Sequence, residues 1–78
     1  MNVPSTLRDV DGRGASIRTY EYDDGDVIAV DFGPSASVTV DVVGDTAIVV
    51  AGERHFEFEL PAEARDVTSN NGVITISE

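Results

Sequence analysis

Two stretches near the C-terminal end decide the fold, HFEFELP at residues 55–61 and NNGVITI at residues 70–76. In the first stretch, Phe56, Phe58 and Leu60 alternate with polar residues, which is the period-2 pattern of a strand with one face in a core and the other in water. The proline that follows ends this strand, because a proline cannot donate a hydrogen bond to a neighbouring strand. We therefore expect a half-buried strand that closes at the proline.

The second stretch predicts a hairpin turn and a final strand. Asn71-Gly72 is a strong hairpin signal, because both residue types tolerate a positive φ. The β-branched run that follows, at residues 73–76, is typical of a strand. We expect the chain to end in this core strand, with its isoleucines on the inward face.

Two further apolar segments lie upstream of the aromatic strand. Val38, Val40 and Val42 point to one face of a strand, and residues 46–51 are apolar on both faces. A strand without alternation is typically buried on both sides or covered by a partner. Gly44-Asp45 joins the two segments as a tight turn, and a second glycine-containing connection leads into the aromatic strand.

The first predicted strand carries a weaker signal. Residues 16–22 alternate in two registers, with either Ile17 or the pair Tyr20 and Tyr22 on the inward face. Because the two registers conflict, we predict a bulge or an edge strand here.

An Asp-rich turn follows that strand. Asp23, Asp24 and Asp26 surround a glycine, and several carboxylates close together suit a calcium ion. An Asp-Gly hairpin turn explains the same residues, and the twelve-residue calcium loop with its terminal glutamate is missing. We therefore favour the turn, and we predict a strand over residues 27–32 and a loop over residues 33–36.

These segments predict an all-β fold, an antiparallel immunoglobulin-like β-sandwich of six or seven strands over residues 16–78. Short alternating strands with frequent turns leave no room for crossover helices. Residues 1–15 are predicted to be a flexible N-terminal arm, in which Pro4 and Ser5 start one helical turn through Leu7 and Val10.

The charge is unusual. The 78 residues include fifteen Asp and Glu, five Arg and no Lys, which gives a formal net charge of −10. The absence of lysine is unusual, because lysine is normally among the commonest residues. A dense carboxylate surface keeps a protein dispersed in about 1 M salt, where the Debye length is only about 3 Å. The composition therefore predicts a halophilic protein that loosens in dilute buffer. The alternative is an acidic face that docks a basic partner, although the acids are spread along the chain.

The composition also excludes several classes of function. Nucleic acid binding needs clustered Lys or Arg, which five scattered arginines do not supply. No apolar run approaches the length of a membrane span or a signal-peptide core, so we expect a cytoplasmic protein that binds no membrane. There is no cysteine, and the single histidine, His55, lies on the outward face beside Glu57 and Glu59 with no nucleophile placed near it by a motif. We expect no enzyme activity, no metal and no cofactor.

Four pieces in the same order resemble the α-crystallin domain of small heat shock proteins. They are an early strand and turn at residues 24–33, a central strand pair at residues 38–54 ending in Gly-Glu-Arg, the aromatic strand closing in Leu-Pro, and the final Asn-Gly-Val-Ile-Thr-Ile. The resemblance covers roughly residues 20–76. It implies the sandwich fold of that family and its function, which is to bind exposed apolar segments of other proteins without ATP.

Three departures from the family's pattern bear on assembly. The connection at Gly52-Glu53 has no room for the long loop that many members exchange between subunits, and it is similar to that of CS-domain co-chaperones. The chain ends at Glu78, without the extension that carries the family's Ile-x-Ile anchor. Val67 stands where the family commonly has alanine. We therefore expect a monomer or a weak homodimer.

The resemblance implies a small-heat-shock-like holdase module of a halophile, which binds unfolding proteins by strand addition or in an apolar groove. In the family that groove lies between the central strand and the strand before the Asn-Gly turn. The matching residues are Val40, Val42 and Val67. The alternative is a monomeric CS-like adaptor domain that binds one specific protein partner and has no chaperone activity.

Overall fold

The structure is a computed structural model that describes residues 1–33 and 37–78. Most of the loop predicted at residues 33–36 lies outside the described residues. The elements are one short helix and seven strands: α1 (Ser5–Arg8), β1 (Ser16–Tyr22), β2 (Gly25–Asp31), β3 (Val38–Val43), β4 (Thr46–Ala51), β5 (Arg54–Glu59), β6 (Asp66–Asn70) and β7 (Val73–Ser77).

The strands form two antiparallel sheets. The larger sheet has four strands in the order β1-β2-β7-β6, and the smaller has three in the order β3-β4-β5. The predicted all-β antiparallel sandwich is confirmed, with seven strands. The aromatic strand β5 ends at Glu59, one residue earlier than the alternation predicts, and Leu60 and Pro61 follow it.

Two-residue hairpin turns set the strand registers. Asn71 and Gly72 have φ angles of 51° and 78°, the left-handed values that a tight turn requires at both central positions. They place Asn70 opposite Val73. Asp23-Asp24, Gly44-Asp45 and Gly52-Glu53 form the other hairpin turns of the described chain. Because a shift of one residue would send every side chain to the other face, these turns determine which residues are buried.

The core between the sheets is apolar, and no polar or charged side chain among the described residues is buried. The inward faces of β2 and β7 meet there, with Ile28 opposite Ile76 and Val30 opposite Ile74. Phe58 of β5 is fully buried and belongs to the same core cluster. The aromatic strand and the final strand therefore supply the inward faces that the sequence predicts.

β1 is an edge strand of the larger sheet, and it pairs with β2 along its whole length without a bulge. Ile17 faces inward and packs partly against the core. Tyr20 and Tyr22 lie on the outer face, 42% and 58% exposed, with their rings stacked at 6.4 Å. Of the two predicted registers, the one with Ile17 inward is correct, and the strand is an edge strand as predicted.

Residues 1–15, predicted to be a flexible arm, pack against the sandwich. Leu7 is fully buried and Val10 is 3% exposed, and both belong to the core. α1 lies against β5, and Thr6 Oγ1 accepts a hydrogen bond of 2.7 Å from the backbone N–H of Glu59. The helical turn forms where the sequence predicts it. The segment is packed and is not the flexible arm predicted. Burial of Leu7 and Val10 removes apolar surface from water and so stabilises the packed conformation.

This N-terminal segment runs antiparallel to β5. Thr6 bonds to the end of β5, and Arg54 Nη1 at its start donates a hydrogen bond of 2.9 Å to the carbonyl of Arg13. The Arg54 guanidinium crosses Gly14, where a Cβ would overlap it. The segment therefore lies along the edge of β5 and caps one N–H group of that edge, at Glu59.

Candidate functional site

The two strands of the predicted groove, β3 and β6, lie at the edges of different sheets and contact each other. β3 pairs only with β4, and β6 pairs only with β7. A cavity of about 290 Å³ opens between these edges. We call it the β3–β6 groove, and its lining residues are Val42, Gly44, Asp45, Leu60, Pro61, Ala62, Ala64, Arg65 and Val67.

The structure brings together two of the three predicted groove residues. Val42 and Val67 both line the cavity. Val42 is 47% exposed, and Val67 packs partly against the core. Val40 shares a face with Val42, but it packs partly against the core opposite Val49 and does not line the cavity. Val42 and Val67 are therefore the apolar side chains that an incoming ligand would contact.

The same strands leave backbone groups unpaired at the sheet edges. Residues of an antiparallel strand alternate between those bonded to the partner strand and those whose N–H and C=O point away. The residues that flank a two-residue turn form a bonded pair. On β3, counting from the Gly44-Asp45 turn shows that the backbone groups of Val40 and Val42 point away from the sheet. On β6, counting from the Asn71-Gly72 turn shows the same for Val67 and Ser69. An extended segment can add to either edge at these positions.

The connection between β5 and β6, at residues 60–65, forms the other wall of the groove. The sequence predicts residues 62–65 as a connection over the sandwich edge, with one possible helical turn, and gives them no role in the groove. The Leu60 N–H donates a hydrogen bond of 2.7 Å to the carbonyl of Asp45, and the Ala64 N–H donates one of 3.0 Å to the carbonyl of Pro61. These bonds fold the connection back toward the β3–β4 turn. Residues 60–65 combine apolar residues with Glu63 and Arg65, a mixture that does not indicate their place in the groove.

The groove is close to neutral in a chain of net charge −10. Its lining carries one carboxylate, Asp45, and one guanidinium, Arg65. Ion pairs within the described part of the chain join the Met1 ammonium to Asp26 and Glu78 and do not involve the groove. A small groove with balanced side-chain charges and a lining of both polar and apolar groups has room for a few apolar side chains.

The Asp-rich turn, considered above as a calcium site, contacts the N-terminus of the chain. The Met1 ammonium donates a hydrogen bond to the carboxylate of Asp26, and the Glu78 carboxylate lies 3.6 Å from the same nitrogen. The hydrogen bond to Asp26 is the main reason that the pKa of the Met1 ammonium lies above its ordinary value of 8.0. Within residues 1–33 and 37–78, no three His, Cys, Asp or Glu side chains are arranged to hold a metal ion.

Two other cavities differ in the polar side chains that line them. One, of about 450 Å³, lies beside Ser16 and Phe32, and its only titratable side chain is Asp31, which accepts a hydrogen bond of 2.8 Å from the Gly33 N–H. The other, of about 190 Å³, lies beside α1, and its lining residues are Thr6, Asp9, Val10, Arg13, His55, Phe56 and Glu57. His55 is exposed on the outward face of β5, as predicted. The absence of enzyme activity stays a prediction.

Two antiparallel sheets with an open groove between edge strands define an all-β sandwich of the kind that many binding modules use. The chain belongs to a protein family described as a family of unknown function, DUF7127, whose model matches residues 1–78. No curated protein and no solved structure matches it significantly. In the part of the chain that the structure describes, no helix is long and apolar enough to cross a membrane. The family description names no activity, and the resemblance to small heat shock proteins stays a prediction.

Proposed function

We propose that the protein is an ATP-independent, small-heat-shock-like binding module that holds extended apolar segments of unfolding proteins in the β3–β6 groove. One observation carries this proposal. Val42 and Val67 line the cavity with their side chains, and their backbone groups are free at the two sheet edges beside it. An extended segment bound there would gain backbone hydrogen bonds from an edge and would bury alternate side chains in the groove.

The expected binding is weak and reversible. Each apolar side chain that becomes fully buried contributes about 1.5–3 kcal/mol, and each backbone hydrogen bond contributes about 0.5–1.5 kcal/mol net. Ordering a flexible segment opposes these gains at about 1–2 kcal/mol per residue of backbone. Because backbone hydrogen bonds do not depend on the client's sequence, such a groove suits a wide range of clients.

The charge distribution supports a role in the cytoplasm of a halophile. Acids such as Asp41, Glu57 and Glu59 lie exposed on the outer face of the smaller sheet, away from the neutral groove. Molar salt screens charged contacts at exposed surfaces, whereas apolar contacts persist. Recognition through Val42 and Val67 would therefore remain effective where recognition by charge would fail.

The second candidate is a monomeric adaptor domain for one specific protein partner, as the similarity to CS domains implies. The two-residue connection at Gly52-Glu53 favours it, because β4 and β5 are joined with no loop to exchange between subunits. The two candidates differ in client range. A holdase protects unrelated denaturing proteins, whereas an adaptor protects none of them.

The proposal is tested by light scattering from two unrelated denaturing proteins in about 1 M KCl, a salt concentration at which surface charge is screened. The variants are Val42→Asp, in the groove, and Val43→Asp, its neighbour on the opposite face of β3. Val43 is 66% exposed and is a matched control for the charge and the strand. We expect suppression by the unaltered protein and by Val43→Asp, and loss of suppression in Val42→Asp. Equal loss of suppression in both variants would contradict a role for the groove. If the unaltered protein suppresses no aggregation, the holdase function is contradicted and the adaptor domain is the remaining candidate.

A further inference from the structure

The edge of β1 is a second candidate binding surface, at the opposite side of the larger sheet from β6. We propose that it pairs with β1 of a second copy of this chain, so that two four-stranded sheets join into one eight-stranded sheet. The strands run antiparallel about a two-fold axis at Thr19. This inference does not depend on the proposed function of the β3–β6 groove.

The β1 edge is long, regular and uncovered. Its seven residues pair with β2 without a bulge, and every residue from Arg18 to Tyr22 is exposed. It contains no proline and no bulge, two features with which proteins commonly protect an edge strand, and its charged residues are Arg18 and Glu21. The edge of β5 differs, because Thr6 caps the Glu59 N–H there.

The pairing of β1 with β2 determines which backbone groups are free. Tyr22 and Gly25 flank a two-residue turn and form a bonded pair. The N–H and C=O groups of Ile17, Thr19 and Glu21 therefore point away from β2. When two β1 strands pair with Thr19 opposite Thr19, Ile17 of each copy lies opposite Glu21 of the other. In this register every one of these free groups has a partner.

The same register makes the outer-face side chains complementary. Arg18 of each copy lies opposite Tyr20 of the other, and a guanidinium over an aromatic ring is an attractive contact. Tyr20 already stacks on Tyr22 at 6.4 Å, which presents a continuous aromatic surface. The cross-strand neighbours of Arg18 and Tyr20 on β2 are Ala29 and Val27, so no carboxylate lies beside the pair on that strand.

The expected dimer is weak and depends on salt. Two chains of charge −10 repel each other, and about 1 M salt screens that repulsion. Pairing through a single strand buries less than the roughly 800 Å² per partner of a stable interface. We therefore expect a monomer–dimer equilibrium in molar KCl that shifts toward the monomer as the salt is lowered.

Sedimentation velocity of the full chain in about 1 M KCl, from about 10 µM to about 1 mM protein, tests the pairing. Thr19→Pro removes the N–H that lies beside the two-fold axis. Because that N–H makes no hydrogen bond to β2, a proline at this position leaves the pairing of β1 with β2 intact. Thr19→Val keeps the N–H and is the matched control. We expect Thr19→Pro to weaken dimerisation by at least about tenfold, and Thr19→Val to leave it close to that of the unaltered protein.

Disulfide cross-linking gives a second measurement that does not depend on a proline variant folding. The chain has no cysteine, and bonded antiparallel residues have Cα atoms about 5.5 Å apart, within the range of a disulfide. Thr19→Cys should form a covalent dimer under mild oxidation, whereas Thr68→Cys, exposed on β6 of the same sheet, should not. The pairing is overturned by a monomer at every concentration, by equal cross-linking of the two cysteine variants, or by a folded Thr19→Pro that dimerises like Thr19→Val.

Discussion

The hydroxyl of Thr6 accepts a hydrogen bond of 2.7 Å from the backbone N–H of Glu59, 53 residues away in the sequence. Glu59 is the last residue of β5, whose outer edge has no strand beside it. An uncovered edge would present free N–H and C=O groups to other chains. The N-terminal segment therefore occupies the Glu59 N–H at this edge.

Removal of this hydrogen bond should weaken the fold. Thr6→Val keeps the shape of the side chain but leaves the Glu59 N–H without its acceptor. We expect a loss of about 1 kcal/mol in the free energy of unfolding, which lowers the melting temperature by about 4–8 °C in a domain of this size. Thermal unfolding followed by circular dichroism in molar KCl measures this change. Thr6→Ser, which keeps the acceptor, should melt close to the unaltered protein, and equal melting of both variants would contradict the role of the bond.

Burial of Leu7 predicts a larger effect. Leu7→Ala should reduce the free energy of unfolding by about 2–5 kcal/mol, because it leaves a cavity among core side chains. Arg8→Ala, at the exposed next position of α1, should change stability by no more than about 0.5 kcal/mol. Urea unfolding in molar KCl measures both values. A stable Leu7→Ala protein would mean that the segment behaves as the flexible arm predicted from the sequence.

The Met1 ammonium predicts a pH dependence. Its pKa is raised on folding, chiefly by the hydrogen bond to Asp26, so the folded state binds this proton more tightly than the unfolded state does. The contribution to stability is therefore complete below the unfolded pKa near 8.0 and is lost as the pH rises through the folded pKa. We expect the melting temperature to fall between about pH 7 and about pH 10, the range that spans the titration of an α-amino group.

Asp26→Asn should reduce this fall in melting temperature. Asp24→Asn, an exposed residue of the same turn, is the matched control and should retain it. If the melting temperature fell by the same amount in all three proteins over this pH range, the ion pair would have no role in stability.

The carboxylate surface predicts a salt dependence of folding. Ion pairs among the described residues involve the Met1 ammonium, so the acids elsewhere repel one another in dilute buffer. The melting temperature should therefore be higher in molar KCl than in dilute buffer. Asp41 and Glu57 flank Ile48 on the outer face of the smaller sheet, and the double variant Asp41→Asn, Glu57→Gln should reduce the difference. An unchanged melting temperature in the unaltered protein would contradict the halophilic interpretation.

The parts of the fold that could be predicted are those encoded by neighbouring residues. The alternation around Phe58 and the Asn71-Gly72 turn each determine a local conformation, and the structure contains both. The register of β1 was ambiguous because Ile17 and Tyr20 both have large side chains, and only the position of the core decides which of them is inward.

The packing of residues 1–15 and the full groove could not be predicted, because they depend on contacts between distant segments. Leu7 and Val10 are too few to show a helical period, and their burial follows from the missing strand beside β5. The resemblance to a known family points to Val42 and Val67, whereas the wall at residues 60–65 has no regular secondary structure to predict.

The most direct test of the β3–β6 groove is an amide NMR titration in about 1 M KCl with an extended apolar peptide. Binding by edge addition and side-chain burial predicts shifts at the amides of Val40, Val42, Val67 and Ser69, and their loss in Val42→Asp but not in Val43→Asp. Shifts that lie elsewhere, or that persist in Val42→Asp, would contradict binding in the groove.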